Sequence, residues 1–173
     1  MTSQDTRRLV LQMAAPLRED GPGGKVDHFL ALLQDRLPLW LGVLRDLEHR
    51  AGRGQVRDNL FVVARAGIDY YADVQSAAMP AFTSPAVTVR FRHALKANGL
   101  GPVAELTPLA SYLREERLLG RVSAEVDPAA SARLLLAGCF HHACIELFVG
   151  AGDEPSRDAA ATEIIRELRL EPR

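Results

Sequence analysis

Residues 127–149, DPAASARLLLAGCFHHACIELFV, decide the fold class of this chain. Asp127 is a residue type that caps helices, and Pro128 suits a first helical turn, where its missing N–H costs no hydrogen bond. The residues that follow are mostly strong helix formers, and apolar side chains occur on nearly every side of the predicted helix. The stretch therefore predicts a long helix buried at the centre of a helical protein.

The rest of the chain shows the same helical periodicity. Apolar residues recur at intervals near 3.6, and Gly or Pro residues separate the periodic segments. Besides the central helix, the predicted helices cover residues 2–20, 25–50, 55–78, 85–97, 102–119 and 156–170. Pro38 lies inside the second of these segments and is expected to kink or break it. Because no alternating apolar run of strand length occurs, we predict an all-α fold of six to seven helices.

The composition of the chain excludes several classes of protein. Apolar residues make up 47% and charged residues 25% of the 173 positions, values typical of a globular domain. The formal net charge of −1 gives no long-range field that would attract nucleic acid or anionic lipid. The first residues do not form a secretory leader, and no apolar run reaches the roughly 20 residues of a membrane span. We expect a cytoplasmic protein without a membrane contact.

Several segments resemble a pattern that is common in TetR-family transcriptional regulators. Residues 112–122, YLREERLLGRV, form a predicted helix that ends at a glycine, and residues 127–130, DPAA, follow a short loop. Residues 134–140, LLLAGCF, belong to a long helix rich in small and aliphatic residues. Residues 27–33, DHFLALL, are similar to the helix that joins the two domains of that family. The resemblance covers most of residues 25–170.

The resemblance implies a two-domain regulator. An N-terminal helix-turn-helix reads DNA in this family, and a helical domain binds an effector and dimerises through its last two helices as a four-helix bundle. Residues 6–15, TRRLVLQMAA, are similar to the first helix of the DNA-binding head, but no turn or recognition helix follows them. We therefore interpret residues 1–24 as an N-terminal segment that retains part of this head. Residues 25–173 are interpreted as a TetR-like ligand-binding and dimerisation domain, and DNA contact would require a helix-turn-helix that is not evident here.

The resemblance also implies a pocket between the helices for a small, rather apolar effector. The candidate pocket residues are large side chains on apolar helix faces, namely Trp40, Phe61, Ile68, Tyr71, Phe91, Leu109, Leu113, Phe140 and His141. His141 is the favoured polar group because a neutral imidazole can donate or accept a hydrogen bond. The phenol of Tyr70 or Tyr71 is an alternative for the same task. A plain helical core uses the same residue types, so the sequence leaves pocket and core open at each position.

Small and aliphatic residues of the last two predicted helices favour a homodimer. Small residues let two helices approach closely, and an exposed apolar stripe is a liability in a monomer. The predicted interface residues are Ala132, Ala137, Gly138, Ala143, Ala160, Ile164, Ile165 and Leu168. We expect this dimer to transmit effector binding to a DNA-binding head. A modulator without a head, which holds effector or pairs with a full-length relative, is an alternative.

Reactive side chains in residues 127–149 support a hypothesis from another class. His142 and Glu146 are four residues apart, and His141 and Cys144 are three apart, so each pair shares a helix face and suits a metal ion. A helical metal protein or enzyme is therefore the competing interpretation. No second ligand group and no Ser/His/Asp motif has recognisable spacing, so we expect no metal, no cofactor and no enzymatic activity. Cys139 and Cys144 point to different faces, which favours buried thiols over a disulfide.

Overall fold

The computed structural model describes residues 2–14, 24–150, 152 and 155–172, and the regular secondary structure of these residues is entirely helical. The seven helices are α1 (Ser3–Ala14), α2 (Lys25–Glu48), α3 (Val56–Ala81), α4 (Pro85–Ala97), α5 (Pro102–Leu118), α6 (Pro128–Val149) and α7 (Arg157–Glu167). The predicted all-α class is therefore confirmed. The predicted extension of the first helix to residue 20 lies outside the described residues.

Local capping signals set several helix ends. At the start of α6, Oδ1 of Asp127 accepts hydrogen bonds from two backbone N–H groups of the first turn, at 2.8 and 3.1 Å. At the start of α7, Oγ of Ser156 accepts one from the N–H of Ala159 at 3.3 Å. Gly99 ends α4 with a φ of +63°, a left-handed conformation that glycine adopts without steric cost. These ends agree with the sequence prediction because each signal is local.

Three prolines lie inside helices without interrupting them, namely Pro38 in α2, Pro80 in α3 and Pro108 in α5. α2 is continuous through Pro38, so the predicted break does not occur. α3 continues through Pro80 to Ala81 rather than ending near Ala78. A proline removes one backbone hydrogen bond, which costs about 3 kcal/mol in an isolated helix. Pro38 and the preceding Leu37 are both buried, and we attribute the continuity of α2 to this tertiary packing.

α3 occupies the middle of the packing. It contacts α2, α6 and α7, while α5 packs against α2 and α6. α1 packs against α2 and also contacts α4. Its Val10 and Met13 are each 1% exposed, and burial of an aliphatic side chain of this size contributes roughly 1.5–3 kcal/mol. Residues of α1 are therefore part of the same hydrophobic core as the longer helices.

The expectation that α6 is buried on all sides is wrong. Its inner face is covered by α3, α5 and α7, and Leu135 and Cys139 on that face are fully buried. On its outer side, Leu134 is 63% exposed, Phe140 50% and Phe148 68%. The sequence shows apolar residues around the whole helix, but these neighbours cover only one side. α6 thus leaves an apolar surface in contact with solvent.

α6 is also long and apolar enough, by length and composition alone, to cross a membrane. It has 22 residues and a mean hydropathy of 1.4 in its most apolar window, of which a third is buried within the protein. The core helix of a soluble protein meets the same criterion. α6 carries His142 and Glu146, which lie within 3.3 Å of each other, and Glu146 pairs with Arg157 of α7. Such groups are costly in lipid, so this signal is weak.

Candidate ligand-binding site

Four aromatic rings from α2, α3 and α6 contact one another, from the buried Trp40 and Tyr70 out to Phe140 at the surface. Trp40 stacks on Tyr70, with ring centres 5.7 Å apart and planes inclined by 16°. Tyr71 meets the ring of Phe140 edge-on at 5.6 Å and 74°, and its centre lies 6.3 Å from that of Trp40. Stacked and edge-on contacts are the favourable geometries for aromatic pairs. We refer to Trp40, Tyr70, Tyr71 and Phe140 as the central aromatic cluster.

Gly67 brings the helices close enough to form this cluster. A Cβ atom at this position would lie 3.2 Å from Cη2 of Trp40 and 3.4 Å from Sγ of Cys139. The thiol of Cys139 is fully buried and donates to the carbonyl of Ala64 at 3.4 Å. Burial raises the pKa of this thiol to about 12, so it stays protonated and unreactive at neutral pH. α3 therefore packs against both α2 and α6 one turn before the two tyrosines of the cluster.

A buried carboxylate, Glu105, adjoins the cluster. It lies in the first turn of α5 and is 8% exposed. The hydroxyl of Tyr71 donates a hydrogen bond to its Oε2. The indole N–H of Trp40 lies close enough to lower the pKa of this carboxyl, yet it makes no hydrogen bond of normal geometry within the described chain. Glu105 therefore joins α5 to α2 and α3 inside the apolar core.

Burial dominates the electrostatics of this group. It raises the pKa of Glu105 above its ordinary value, although the contacts with Tyr71 and Trp40 act in the opposite direction. Burial and the neighbouring carboxyl also raise the pKa of Tyr71, so its phenol stays protonated and remains a donor. Among the described residues, no Lys, Arg or His side chain contributes to the shift of Glu105. The site thus presents a hydrogen-bond acceptor whose charged form has no cationic partner in the described ranges.

The structure brings three of the predicted pocket residues together and adds one that the sequence analysis missed. Trp40, Tyr71 and Phe140 all belong to the central aromatic cluster. The aliphatic candidates occupy fully buried core positions, namely Ile68, Leu109 and Leu113. Glu105 was not predicted. It lies four residues before Leu109 and hence on the same helix face, and this spacing is the signal that could have revealed its burial.

The other predicted pocket residues lie elsewhere. Phe91 of α4 belongs to a second aromatic group, with its ring centre 5.3 Å from that of Phe29 and 4.9 Å from that of Phe82. Phe61 is partly buried and packs against the core. His141, the favoured polar group, is exposed at the surface of α6. The polar group beside the rings is therefore a carboxylate rather than this imidazole.

The reactive side chains of α6 serve mainly to attach α7. His142 is buried, with Nε2 3.3 Å from Oε1 of Glu146, while His141 is exposed. Glu146 accepts hydrogen bonds from Nε and Nη2 of Arg157 at 3.0 and 2.7 Å, and these hydrogen bonds lower the pKa of Glu146. Arg157 also lies 2.5 Å from Asp69 of α3. Within the described part of the chain, no group of three or more His, Cys, Asp or Glu residues is placed to hold a metal ion.

A second buried acid lies near the other end of α5. Glu116 is fully buried, with Oε2 2.9 Å from Nε of Arg121 and Oε1 accepting a hydrogen bond from the N–H of Gly52 at 3.0 Å. Close by, Nδ2 of Asn59 donates to the hydroxyl of Tyr112 at 3.1 Å. Burial raises the pKa of this phenol to about 12. These contacts attach the loop between α2 and α3 to the end of α5.

The outer surfaces of α6 and α7 form an open groove of about 440 Å³, the α6–α7 groove. Leu134, Gly138, His141 and Ile145 line it along α6 at spacings of three or four residues. Ile164 of α7 packs directly on Gly138, where a Cβ atom would lie 2.9 Å from the isoleucine side chain. The glycine therefore allows the close approach of the two helices that form the groove.

The predicted dimer-interface residues divide into two sets. Four of them are buried within the chain itself, namely Ala132, Ala143, Ala160 and Ile165. Four are exposed or partly exposed, namely Ala137, Gly138, Ile164 and Leu168. The buried alanines of α6 share the inner face of Leu135 and Cys139, at spacings of three or four residues. The second set is accessible to another subunit, and the exposed Leu134 lies in the same groove as its Gly138, Ile164 and Leu168.

Comparison with known proteins gives no match: no family model, no curated protein and no solved structure is similar to this chain. The resemblance to TetR-family regulators therefore has no support from these comparisons. The functional argument rests on the geometry of the chain itself.

Proposed function

We propose that this chain is the effector-binding and dimerisation domain of a TetR-like transcriptional regulator. It senses a small, mainly apolar molecule and passes the signal to a helix-turn-helix head. The observation that supports the sensing role is Glu105, a buried acid beside the rings of Trp40, Tyr70 and Tyr71. Small-molecule sites are mostly apolar and contain a few polar groups that orient the ligand, and this is the composition of the cluster with Glu105.

The burial of Glu105 is unfavourable for the free energy of folding. Burial of a carboxylate costs several kcal/mol unless hydrogen bonds and an opposite charge compensate it. The hydroxyl of Tyr71 supplies one hydrogen bond, and no cation in the described ranges supplies the charge. An aliphatic residue would fill the same space without this cost. A perturbed acid among aromatic rings is therefore a reasonable marker of a binding site.

The cluster lies where a ligand could change the arrangement of the helices. Its members come from α2, α3 and α6, and Glu105 adds α5. α6 also forms the α6–α7 groove on its outer side. A ligand that moves Phe140 away from Tyr71 would act on α6 and hence on that groove. Binding can then favour one arrangement of two subunits over another.

The proposal includes a homodimer in which two copies of the α6–α7 groove face each other. Leu134 is 63% exposed and lines the groove together with Gly138, Ile145 and Ile164. A two-fold dimer places the same surface patch of both subunits in contact. Removal of this apolar surface from water supplies the driving force for the association.

Fluorescence of Trp40 tests the sensing role directly. Trp40 is the single tryptophan of the chain, and it stacks within the cluster, so its emission reports on this site. We expect at least one member of a panel of neutral, anionic and cationic small molecules to change the emission and raise the thermal midpoint. Phe140→Leu should weaken that binding, and Phe91→Leu, in the second aromatic group, should not. If no molecule of the panel has an effect, the sensing role is wrong.

The mass in solution tests the dimer. We expect light scattering to give twice the mass of one chain for the wild type. Leu134→Glu should give a monomer, because a carboxylate in the groove would be buried without a partner. Leu118→Glu is the matched control, since Leu118 is 72% exposed on α5, away from the groove. A monomeric wild type, or a dimeric Leu134→Glu variant, contradicts this interface.

A further inference from the structure

The two buried acids of the described chain, Glu105 and Glu116, differ in the charge of their partners. Glu116 lies 2.9 Å from the guanidinium of Arg121. Glu105 has neutral neighbours, the donating hydroxyl of Tyr71 and the nearby indole of Trp40. Trp40 is 2% exposed, and its indole N–H lies near the carboxyl and lowers its pKa without a hydrogen bond of normal geometry. The site therefore combines an acid that has no counter-charge among the described residues with donors that are all neutral.

The rings beside Glu105 are suited to a positive charge. The face of an aromatic ring attracts a cation within about 6 Å of its centre, and the attraction grows when water is excluded. Trp40, Tyr70 and Tyr71 have ring centres between 5.3 and 6.3 Å apart. Tyr71 also touches the carboxylate. A cation beside Glu105 would meet ring surfaces and the acid at the same time.

We propose that the ligand of this site is an organic cation, an apolar amine or quaternary ammonium whose charge pairs with Glu105. Its hydrocarbon part packs on Trp40, Tyr71 and Phe140. This inference rests on the proposed sensing function and narrows the ligand from a small apolar molecule to a cationic one. Charge complementarity discriminates against anions, which would meet the carboxylate as a like charge.

Aromatic rings pack around Glu105, which is itself buried. Phe140 is 50% exposed, and its ring meets Tyr71, which is partly buried. A ligand that packs on this side of Tyr71 therefore has to displace the ring of Phe140. A surface cleft of about 150 Å³ also reaches Trp40 and Tyr70 between α2 and α3. This cleft is smaller than the roughly 300–1,000 Å³ of typical ligand sites, so binding requires the rings to move apart.

The test uses benzyltrimethylammonium and its uncharged isostere neopentylbenzene, in which a carbon atom replaces the nitrogen. Their affinities for the full chain are measured by Trp40 fluorescence and calorimetry. We expect the wild type to bind the charged probe at least tenfold more tightly than the neutral one. Glu105→Gln, which keeps the size of the side chain and its acceptor oxygen, should abolish this preference. Glu115→Gln should keep it, because Glu115 is an exposed acid on the same helix and its loss changes the net charge equally.

The outcomes distinguish failure of the cation inference alone from failure of the sensing function as well. Equal binding of the two probes to the wild type, or unchanged binding of the charged probe to Glu105→Gln, overturns the cation inference and leaves a ligand site in place. If neither probe binds but another molecule of the panel changes the Trp40 emission, the cation inference alone is wrong. If nothing binds, both fail. The wild-type comparison of the two probes holds whatever the stability of the variant.

Discussion

The two ends of α5 accommodate a buried acid in opposite ways. Near the C-terminal end, Glu116 has an ion pair with Arg121 and a hydrogen bond from the backbone of Gly52. Near the N-terminal end, Glu105 has the hydroxyl of Tyr71 as its donor and aromatic rings as its surroundings. One helix thus contains two buried acids, eleven residues apart. We call Glu116 the compensated acid and Glu105, which has no ion pair among the described residues, the uncompensated acid.

This difference favours a structural role for Glu116 and agrees with the binding role that the proposed function gives to Glu105. The contacts of Glu116 join α5 to the loop between α2 and α3, and the nearby pair of Asn59 and Tyr112 extends the polar network. Every one of these contacts supports the fold. Glu105 instead is a carboxyl buried without an ion pair among the described residues, and binding sites commonly retain such unfavourable groups at some expense of stability. The comparison predicts a different response to mutation at each end.

The largest loss of stability should follow from mutation of Glu116, the acid that pairs with Arg121. Glu116→Gln removes the charge that pairs with Arg121, and we expect the free energy of unfolding to fall by about 2–3 kcal/mol. This is less than the roughly 3–5 kcal/mol of a fully buried pair, because the Arg121 side chain is 29% exposed and keeps contact with water. Urea denaturation gives the value. Glu115→Gln should change the free energy of unfolding by less than about 0.5 kcal/mol. Equal changes for the two variants would contradict a structural role of Glu116.

A smaller loss of stability should follow from removing the hydroxyl of Tyr71, which donates a hydrogen bond to Glu105. Tyr71→Phe removes the hydrogen bond to Glu105, and we expect a loss of about 1–2 kcal/mol because the buried acceptor remains. The same change should raise the pKa of Glu105 further, since that hydrogen bond favours the charged carboxylate. Tyr70→Phe is the matched control, with an equal loss of a hydroxyl on the neighbouring ring. If both variants lose the same stability, the Tyr71 hydroxyl has no special role at Glu105.

The sequence predicted most of the helices but not the environment of these acids. Helix ends depend on local chemistry, so Asp127 and Gly99 were sufficient to place the start of α6 and the end of α4. Burial depends on which helices meet, and no local signal reports that. An acid in the first turn of a helix is ordinary because it favours the helix dipole, and this position concealed the burial of Glu105.

The aromatic residues show the same division between local and tertiary information. The sequence selected Trp40, Tyr71 and Phe140 as large apolar side chains, and the structure brings them together. It selected Phe91 for the same reason, but α4 places that ring beside Phe29 and Phe82 instead. Periodicity identifies the apolar face of a helix without identifying the helix that it meets. The sequence therefore predicts which types of residue form the candidate site. It predicts only in part which of these residues come together in space.

The smallest effect, the pH dependence of stability at Glu105, is the sharpest test of the comparison. Because burial raises the pKa of the folded carboxyl, the protonated acid is favoured by folding. The stabilisation from this preference is fully present below the ordinary carboxyl pKa. It is lost as the pH rises through the raised pKa of Glu105 in the folded state. The stability of the wild type minus that of Glu105→Gln should therefore fall across this interval. Denaturation between about pH 4 and 8 measures it, with Glu115→Gln as the variant that should show no such trend. A difference that instead increases with pH would mean that the fold stabilises the carboxylate, and the two ends of α5 would then be alike.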